Sequence, residues 1–393
     1  MGAGYGGITA ALRLARLFRG RPDCHLHLID RNPYHTLKTQ LHEAAVRQTE
    51  VSIPIHDIIR HRPILFQAGT VSSIDLANRL VSVDGVSLTF DFLVFALGSQ
   101  TNFYNIPGLE AYSLPLQTVD DAETIYQHIN ELCRLASLEA NPATRRDLLR
   151  FIIGGGGLSG VEFAAELAER ALTCGKGHNV EHGDVEVIII EGAARILPNM
   201  EEGFVRRIEK KLQEKGVTIL TDTKIASLTA EAVTLSTGEQ LGSRSLVWTG
   251  GIMVSSLAAD SGLKTGAMGR ILVDEFLKSP DHPFVYAIGD NALAINPETG
   301  APVPTAAQFA LQQGRLVADN IHAVVTGGTP KAYQPKVLGE IVSLGRHLAI
   351  GWLALPLLKK ITFFGFLGRL LKSASQEKHL LLLRKESRNW IRY

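Results

Sequence analysis

Short apolar runs bounded by turn residues alternate along the chain with longer segments in which apolar positions recur every three or four residues. The clearest example is 151–169, FIIGGGGLSGVEFAAELAE, which predicts a buried strand, a glycine turn and a helix. Further apolar runs at 64–68 and 93–97 predict strands, and the periodic segments 119–138 and 201–215 predict helices. This alternation of strands and helices predicts an α/β fold.

The glycine turn in the first of these segments fits the pattern G-x-G-x-x-G at Gly155, Gly157 and Gly160. The first glycine permits a tight turn, the second lets the backbone approach a pyrophosphate, and the third lets the helix pack closely on the strand. Amides at the start of the helix then face the phosphates. We therefore predict a dinucleotide site here, although glycine turns of this kind also occur without a ligand.

The same pattern occurs at the start of the chain, where Gly2, Gly4 and Gly7 are followed by another helical segment. Each copy is followed by an apolar run that ends in an acid, Asp30 for the first copy and Glu191 for the second. A carboxylate at that position accepts a hydrogen bond from a ribose 2′-hydroxyl. Two turns with two matching acids predict two Rossmann-like dinucleotide-binding domains.

The first of these domains lacks one expected element. A dinucleotide fold needs a strand that leads into Gly2, and only Met1 precedes it. We expect the natural protein to carry several more apolar residues upstream, missing here through a late start codon or a truncation.

The apolar run 284–288 follows the second domain and leads into Asp290. Because such a strand must pair with another, we place it in the first domain and treat the second domain as inserted. Small residues follow two other predicted strands, at Gly98 and Gly251. Because glycine has no side chain, the backbone there could lie close to a second phosphate or to a ring. The predicted division is 1–108 with 252–330, then 109–251, then a C-terminal region, 331–393.

Composition bounds the function. The 393 residues are 45% hydrophobic with a formal net charge of +1, which suits two or three globular domains and argues against a nucleic-acid binder. Cys24, Cys133 and Cys174 show no C-x-x-C spacing, so we expect reduced thiols and no metal site. No signal peptide or apolar stretch of about 18 residues is present, so we expect a soluble or surface-bound protein.

These residues resemble the FAD/NAD(P)-dependent flavoproteins with two dinucleotide-binding domains, and more narrowly the type II NADH:quinone oxidoreductases. The resemblance covers nearly the whole chain. It rests most on GDNA at 289–292 and AAQFALQQG at 306–314, because glycine turns are shared by many folds. Further matching stretches are GAGYGG, DRNPYHTL, FALGSQTNFYNIPG and VWTGGI.

The resemblance implies two cofactors. The first glycine motif with Asp30 would hold the adenine half of FAD, and Asp290 would contact its ribityl-phosphate side. The second motif with Glu191 would hold NADH. A carboxylate there repels a 2′-phosphate, so NADH is expected over NADPH, a preference that the nearby Arg195 weakens. Three small residues complete the implied cofactor-binding set: Gly98, Gly251 and Ala307.

The implied reaction passes hydride from NADH to the flavin and then two electrons to a membrane quinone of the menaquinone or ubiquinone class, without proton pumping. A helix predicted over 306–325 would direct its positive N-terminus at the reduced flavin. Gln308 and Gln312 are implied contacts of the quinone, although Gln308 with Thr305 also has the spacing of a capping box. Glu162 is implied near the flavin as a proton-handling group, with helix-dipole stabilisation as the alternative.

From Trp352 onward, leucine and phenylalanine alternate with basic residues, against only Glu377 and Glu386 as acids. This pattern is typical of an amphipathic helix that lies in the interface of an anionic leaflet. It favours peripheral attachment at the cytoplasmic face of the cell membrane, where a lipid-dissolved quinone has a short path to the site. The alternative is a terminal helix that packs on the core or forms a dimer interface, which leaves a homodimer open.

Other flavoproteins of this architecture compete with that interpretation. A sulfide:quinone oxidoreductase needs a cysteine late in the chain, and none follows Cys174. A disulfide reductase needs a cysteine pair. An NAD(P)H-dependent ferredoxin or rubredoxin reductase and a nicotinamide-sensing flavoprotein stay as alternatives, and slow flavin reoxidation by every quinone would favour the sensor.

Overall fold

The computed structural model describes residues 1–174, 182–354 and 360–387. Helices within these ranges are Tyr5–Leu17 (α1), Leu41–Arg47 (α2), Ile55–Ile59 (α3), Leu109–Tyr112 (α4), Val119–Leu138 (α5), Pro142–Leu149 (α6), Leu158–Cys174 (α7), Glu202–Glu214 (α8), Leu257–Asp260 (α9), Ala307–Thr326 (α10) and Phe366–Ser387 (α11).

Strands within the same ranges are Leu26–Asp30 (β1), Tyr34–Thr36 (β2), Ser52–Pro54 (β3), Ile64–Ala68 (β4), Val71–Asp75 (β5), Leu80–Val83 (β6), Val86–Thr89 (β7), Leu93–Phe95 (β8), Gln100–Thr101 (β9), Leu114–Pro115 (β10), Arg150–Gly154 (β11), Glu186–Ile190 (β12), Val217–Leu220 (β13), Ile225–Leu228 (β14), Ala232–Leu235 (β15), Gln240–Gly242 (β16), Ser245–Trp248 (β17), Ile252–Met253 (β18), Ile271–Leu272 (β19), Val285–Ala287 (β20), Ala292–Leu293 (β21), Gly339–Ser343 (β22), Ala349–Leu353 (β23) and Ile361–Gly365 (β24).

The first nucleotide-binding unit is built from two parallel strand pairs, β1 with β4 and β8 with β20. The pairing of β20 with β8 confirms that the strand near 285 returns to the first unit. Backbone of the first two residues joins the pairs: the Met1 amine donates to Val94 O (3.0 Å), and Gly2 N donates to Ile29 O (2.7 Å). Extra apolar residues upstream of Met1, and the division of the chain into domains, stay predictions.

The second unit is a five-stranded parallel sheet in the order β10-β17-β11-β12-β13. Its central strand β11 is buried along its whole length, which is why this stretch reads as a continuous apolar run. An antiparallel sheet, β14-β15-β16, precedes β17 in the chain, and the turn at Gly238 joins β15 to β16.

The C-terminal region forms an antiparallel sheet, β22-β23-β24, followed by the long helix α11. One side of α11 is buried, with Leu383 in the same hydrophobic cluster as Ile8 of α1, Val46 of α2 and Phe163 of α7. The packing of a terminal helix on the core, which the sequence offered as the alternative to membrane attachment, is therefore present. The interpretation of this segment as an amphipathic membrane helix also places Trp390 and Tyr393 at the depth of the lipid headgroups, and both residues lie outside the described ranges.

A histidine pair also attaches α11 to the first glycine turn. His379 of α11 and His35 place their Nε2 atoms 3.1 Å apart, and the His35 Nδ1–O distance to the carbonyl of Ala3 is 2.8 Å. Burial lowers the pKa of His379 to about 3, so this imidazole is neutral near pH 7.

In the part of the chain that the structure describes, no helix combines the length and the apolar character required to cross a membrane.

One expectation about the cysteines is wrong. Cys24 is a free thiol, as expected, but the buried Cys133 is disulfide-bonded. Spacing along the chain does not reveal such a bond, because a disulfide needs only proximity in space.

Close packing of α11 on the sheet gives a first prediction. A Cβ added at Gly368 would lie 2.3 Å from Ala349 O of β23. This is a steric clash with backbone, and it can be relieved only if the helix moves away from the strand. We expect Gly368→Ala to lower the free energy of unfolding by about 1–3 kcal/mol, the usual cost of overpacking. Urea unfolding of the protein measures this change.

The matched control is Gly203→Ala in α8, where an added Cβ meets no atom within 4 Å. Because alanine is the better helix former, this variant is expected to keep or slightly raise stability. Equal unfolding curves for the two variants would contradict the packing of α11 on β23.

Candidate functional site

The two glycine turns have the same geometry. The first glycines, Gly2 and Gly155, have φ angles of +91° and +110°, which side chains other than hydrogen rarely permit. A Cβ at the third glycines, Gly7 and Gly160, would lie 1.8 and 2.0 Å from the carbonyl oxygen of the first. At the middle positions, an added Cβ would meet nothing within 4 Å: Gly4 and Gly157. Each turn therefore presents an open stretch of backbone that fits a pyrophosphate.

Each predicted acid lies at its own turn. Asp30 accepts hydrogen bonds from the amides of Ala3 (2.6 Å) and Asn32 (2.8 Å). Glu191 accepts from the amides of Gly156 (2.6 Å) and Ala193 (2.7 Å). In both cases the carboxylate is fixed beside the glycines by backbone donors, which is the position from which it could reach a ribose hydroxyl.

The loops after β8 and β20 are joined by hydrogen bonds that involve Asn291 and Ser99, two residues that the sequence did not single out. Asn291, which is 1% exposed, accepts from Gly98 N (2.8 Å), and Ser99 Oγ donates to Asp290 Oδ2 (2.6 Å). These contacts bring two predicted cofactor residues, Gly98 and Asp290, to one edge of the first unit. The only signal in the sequence was their position after two apolar runs.

Helix α10 is attached to the same edge. Gln313 accepts from Gly289 N (2.6 Å), so the helix that begins at Ala307 is fixed against the loop that carries Asp290. Gly251, the last predicted cofactor residue, accepts at its carbonyl from Asn102 N (3.0 Å).

Lys38 is a further residue that sequence reasoning did not single out. Its Nζ donates to Gln117 Oε1 (3.3 Å). Desolvation lowers the pKa of Lys38, whereas the charges of Asp290 and Asp30 act to raise it. Lys38 therefore lies near both acids of the first nucleotide unit.

The predicted capping box at Thr305 and Gln308 is wrong. The N-cap of α10 is Ala306, and no side chain caps it. Gln308 instead accepts from Leu338 N (3.0 Å), and Gln312 accepts from Lys336 N (2.9 Å) and donates to Lys336 O (2.8 Å). Both amides therefore bind the segment that leads into β22, because extended backbone offers the donor and the acceptor that an amide needs. Their contact with a quinone stays a prediction.

Glu162 lies beyond the first turn of its helix, where stabilisation by the helix dipole would have required it, and it is buried. It is the fifth residue of α7, beyond that turn, and it is 8% exposed. Its Oε1 accepts from Ser343 N (2.8 Å) and contacts Lys372 Nζ, which also donates to Ser343 Oγ (2.9 Å). His42 places Nδ1 3.6 Å from Glu162 Oε2. Local partners, and not the helix dipole, therefore stabilise this carboxylate.

Glu162 belongs to a larger group, which we call the ionic cluster. Arg47 Nη2 lies 2.6 Å from Glu166 Oε1 and 3.2 Å from Glu43 Oε2, and Arg369 donates to both oxygens of Glu43 (3.1 and 3.2 Å). The cluster joins α2, α7 and α11 and consists of three carboxylates, three cations and one imidazole: Glu43, Glu162, Glu166, Arg47, Arg369, Lys372 and His42.

Burial shifts the pKa values in the ionic cluster in opposite directions. Burial raises the pKa of Glu166 to about 7, against the effect of Arg47. Burial also lowers the pKa of His42 well below its ordinary value, and the charge of Lys372 acts in the same direction. For Glu43, burial would raise the pKa, but the hydrogen bonds from Arg369 and nearby positive charges lower it overall.

One side-chain N or O atom from each of His42, Glu43 and Glu166 lies within 4.8 Å of the others. A metal ion could use such a spacing. However, Arg47 and Arg369 already supply the positive charge that these carboxylates need. The cluster is thus satisfied by ion pairs.

The model of the pyridine nucleotide-disulphide oxidoreductase family matches residues 1–314. The type II NADH:quinone oxidoreductase of Staphylococcus aureus is 28% identical over 359 residues, 89% of this chain and 88% of that protein.

Solved structures share the fold. NDH2 from Plasmodium falciparum in complex with NADH has a TM-score of 0.85 at 17% identity, over 98% of this chain and 94% of that one. The sulfide:quinone oxidoreductase from Aquifex aeolicus has a TM-score of 0.80 at 21% identity, over 98% and 90%.

The ionic cluster gives a second prediction. Lys372→Met removes the cation that contacts the buried Glu162. We expect a loss of about 3–5 kcal/mol in the free energy of unfolding, because a buried charge is left uncompensated. The double variant Glu162→Gln with Lys372→Met should recover most of this loss in urea unfolding at pH 7.

Lys360→Met is the control, because Lys360 forms an ion pair with the exposed Glu201. Surface pairs of this kind contribute about 0–1 kcal/mol. A loss in Lys372→Met no larger than in this control would show that the buried pair is not required.

Proposed function

The chain belongs to the pyridine nucleotide-disulphide oxidoreductase family, and on that basis we propose that it is a type II NADH:quinone oxidoreductase. It uses FAD and NADH and reduces a membrane quinone of the menaquinone or ubiquinone class, without pumping protons. The named relative from Staphylococcus aureus and the NADH complex of the Plasmodium falciparum structure support this assignment.

The two open glycine turns support the two cofactor sites. The turn at Gly4, with Asp30 and the edge that carries Gly98 and Asp290, would hold FAD. The turn at Gly157, with Glu191, would hold NADH. Bound in this way, FAD supplies a ring that takes two electrons from NADH and gives two to a quinone.

Specificity for NADH over NADPH is supported by the geometry around Glu191. Its carboxylate is fixed by two backbone amides and would repel a 2′-phosphate. Arg195, which could have offset this repulsion, donates to the carbonyl oxygens of Pro198 (2.7 Å) and Met200 (3.1 Å). Its guanidinium is therefore already engaged by the following loop.

The observation that carries the quinone assignment is the position of Glu162. This carboxylate comes from the helix that follows the NADH turn, yet it is buried against Ser343 and Lys372 of the C-terminal region. This position, between the turn at Gly157 and the region expected at the membrane, supports a proton-handling role for Glu162. We assign to Glu162 the delivery of a proton to the quinone and to Lys372 the positioning of its carboxylate.

Helix α10 contributes a second element of the site. It begins at Ala307 with no side-chain cap, so its first backbone amides are left for another acceptor. The N-terminus of this 20-residue helix is positive and would stabilise negative charge on a reduced cofactor.

Apolar side chains around the start of α11 support peripheral attachment to the cytoplasmic face of the membrane. Phe366 is 64% exposed and Leu370 is 50% exposed, and Ile361 and Phe364 on β24 are also exposed. Exposed aromatic and aliphatic groups beside basic residues bind at the interface of an anionic leaflet. This surface would shorten the path of a lipid-dissolved quinone.

An anaerobic two-step experiment tests the assignment. NADH added to the FAD-loaded protein should bleach the flavin absorbance, and a short-chain quinone added next should restore it within one turnover time. Restoration by a ferredoxin and by no quinone would identify a protein reductase instead. Bleaching without restoration by either acceptor would favour a nicotinamide sensor.

The role of Glu162 gives a separate prediction. Glu162→Gln should leave flavin bleaching by NADH within about twofold and slow reoxidation by quinone by about 10²–10⁴-fold, the usual range for general acid catalysis. Stopped-flow absorbance measures both steps. Glu169→Gln is the control, because Glu169 lies on the same helix and pairs with Lys215. Unchanged quinone reoxidation in Glu162→Gln would remove this role.

A further inference from the structure

Glu166 is a buried carboxyl for which the proposed reaction has so far required no role. It lies one helical turn beyond Glu162 on α7 and is 1% exposed. Its direct partner is Arg47 of α2, at 2.6 Å. A helix that needed only packing at this position would carry an apolar residue, since burying a carboxyl costs free energy.

His42 connects Glu166 with Glu162. Nδ1 of His42 lies 3.6 Å from Glu162 Oε2, and Nε2 lies 3.3 Å from Ser343 Oγ and 3.8 Å from Glu43 Oε1. Side-chain atoms of His42, Glu43 and Glu166 all lie within 4.8 Å of one another. Successive proton-binding groups from Glu166 to Glu162 therefore lie within 4.8 Å of one another, a separation that one bridging water can span.

The charges around Glu166 come from every helix packed against it. Arg47, Glu43 and His42 face it from α2, Arg369 from α11, and Glu169 from its own helix. Burial outweighs the cations and raises the pKa of Glu166 to about 7, so this carboxyl is partly protonated near neutral pH. His42 stays neutral because burial lowers its pKa, and a neutral imidazole accepts at one nitrogen while it donates at the other.

The proposed reaction needs a supply of protons. Reduction of a quinone to a quinol adds two electrons and two protons, whereas oxidation of NADH to NAD⁺ releases two electrons and one proton. The second proton must come from solution. A buried Glu162 that delivers a proton must receive another before the next turnover.

Resting on the proposed function, we propose that Glu166 is the carboxyl that resupplies Glu162 with protons from solution. The Glu166 O–H bond breaks and its proton passes along Glu43 and His42 to the Glu162 carboxylate, where a new O–H bond forms. The Glu166 carboxylate is then protonated again, and the overall balance of the reaction requires that this proton come from solution. Arg47 positions the Glu166 carboxylate, and its charge stabilises the ionised form between the two transfers.

The first test detects the proton without turnover. Infrared spectra of the full-length, FAD-loaded protein between pH 5 and pH 9 should show a carboxylic acid C=O band that disappears with a midpoint near pH 7. Glu166→Gln should lack this band, and Glu169→Gln should keep it. A band that is unchanged in Glu166→Gln, or the absence of any band titrating near neutral pH, would overturn the proposal.

The second test separates the two half-reactions. Glu166→Gln should leave bleaching by NADH within about twofold and slow reoxidation by quinone about tenfold or more at pH 6, where Glu166 carries its proton in the unaltered protein. Reoxidation in the unaltered protein should fall with increasing pH above about 7 as Glu166 loses its proton, whereas the variant should show no such dependence. Glu166→Asp, which keeps a titratable carboxyl, should restore the pH dependence in part.

The outcomes distinguish this proposal from the proposed function. If no quinone reoxidises the unaltered protein, the quinone assignment fails and this role fails with it. If quinone reoxidises the unaltered protein and Glu166→Gln keeps the same pH profile, only the role of Glu166 is wrong. Should Glu166→Gln not fold, Glu166→Asp carries both tests, with a shifted band and a shifted pH profile as the expected results.

Discussion

The buried ionic cluster imposes the strictest constraint on this structure, because three carboxylates cannot be removed from water without cations beside them. Glu162 and Glu166 come from α7, Arg47 from α2, and Lys372 from α11. The three helices are far apart in the chain, so the charges are satisfied only when all three pack in one register. Ion pairs of this kind contribute more to the choice of arrangement than to net stability, since an apolar replacement would avoid the cost of desolvation.

This arrangement connects the nucleotide turn with the C-terminal region through a single helix. α7 begins directly after the glycine turn, and within its first five residues it reaches Glu162 and the contact with Ser343. A change in how the turn is occupied therefore acts on the same rigid element that carries the buried carboxyl. The proposed reaction would use this proximity, because one helix joins the glycine turn to the buried carboxyl.

The fold was largely predictable because its elements have strong local signals. Strand β11 is buried along its whole length, and its residues after Arg150 are apolar or glycine. Helix α5 was expected over 119–138 and is found there. The capping box at Thr305 failed for a different reason. Gln308 had the right spacing for a local hydrogen bond, but backbone of 338–339, distant in sequence, competed for the same amide.

The sequence alone determined the parts of the protein in which function depends on local backbone geometry. The positive φ angle at position 155 requires a glycine, and Glu191 directly follows its strand. Both features can therefore be recognised in the sequence. Only the tertiary structure decided what Lys372 and Glu166 do. In sequence, one was part of a basic pattern and the other an acid on a helix. Burial and charge pairing arise from contacts between distant segments, so residue order alone could not show them.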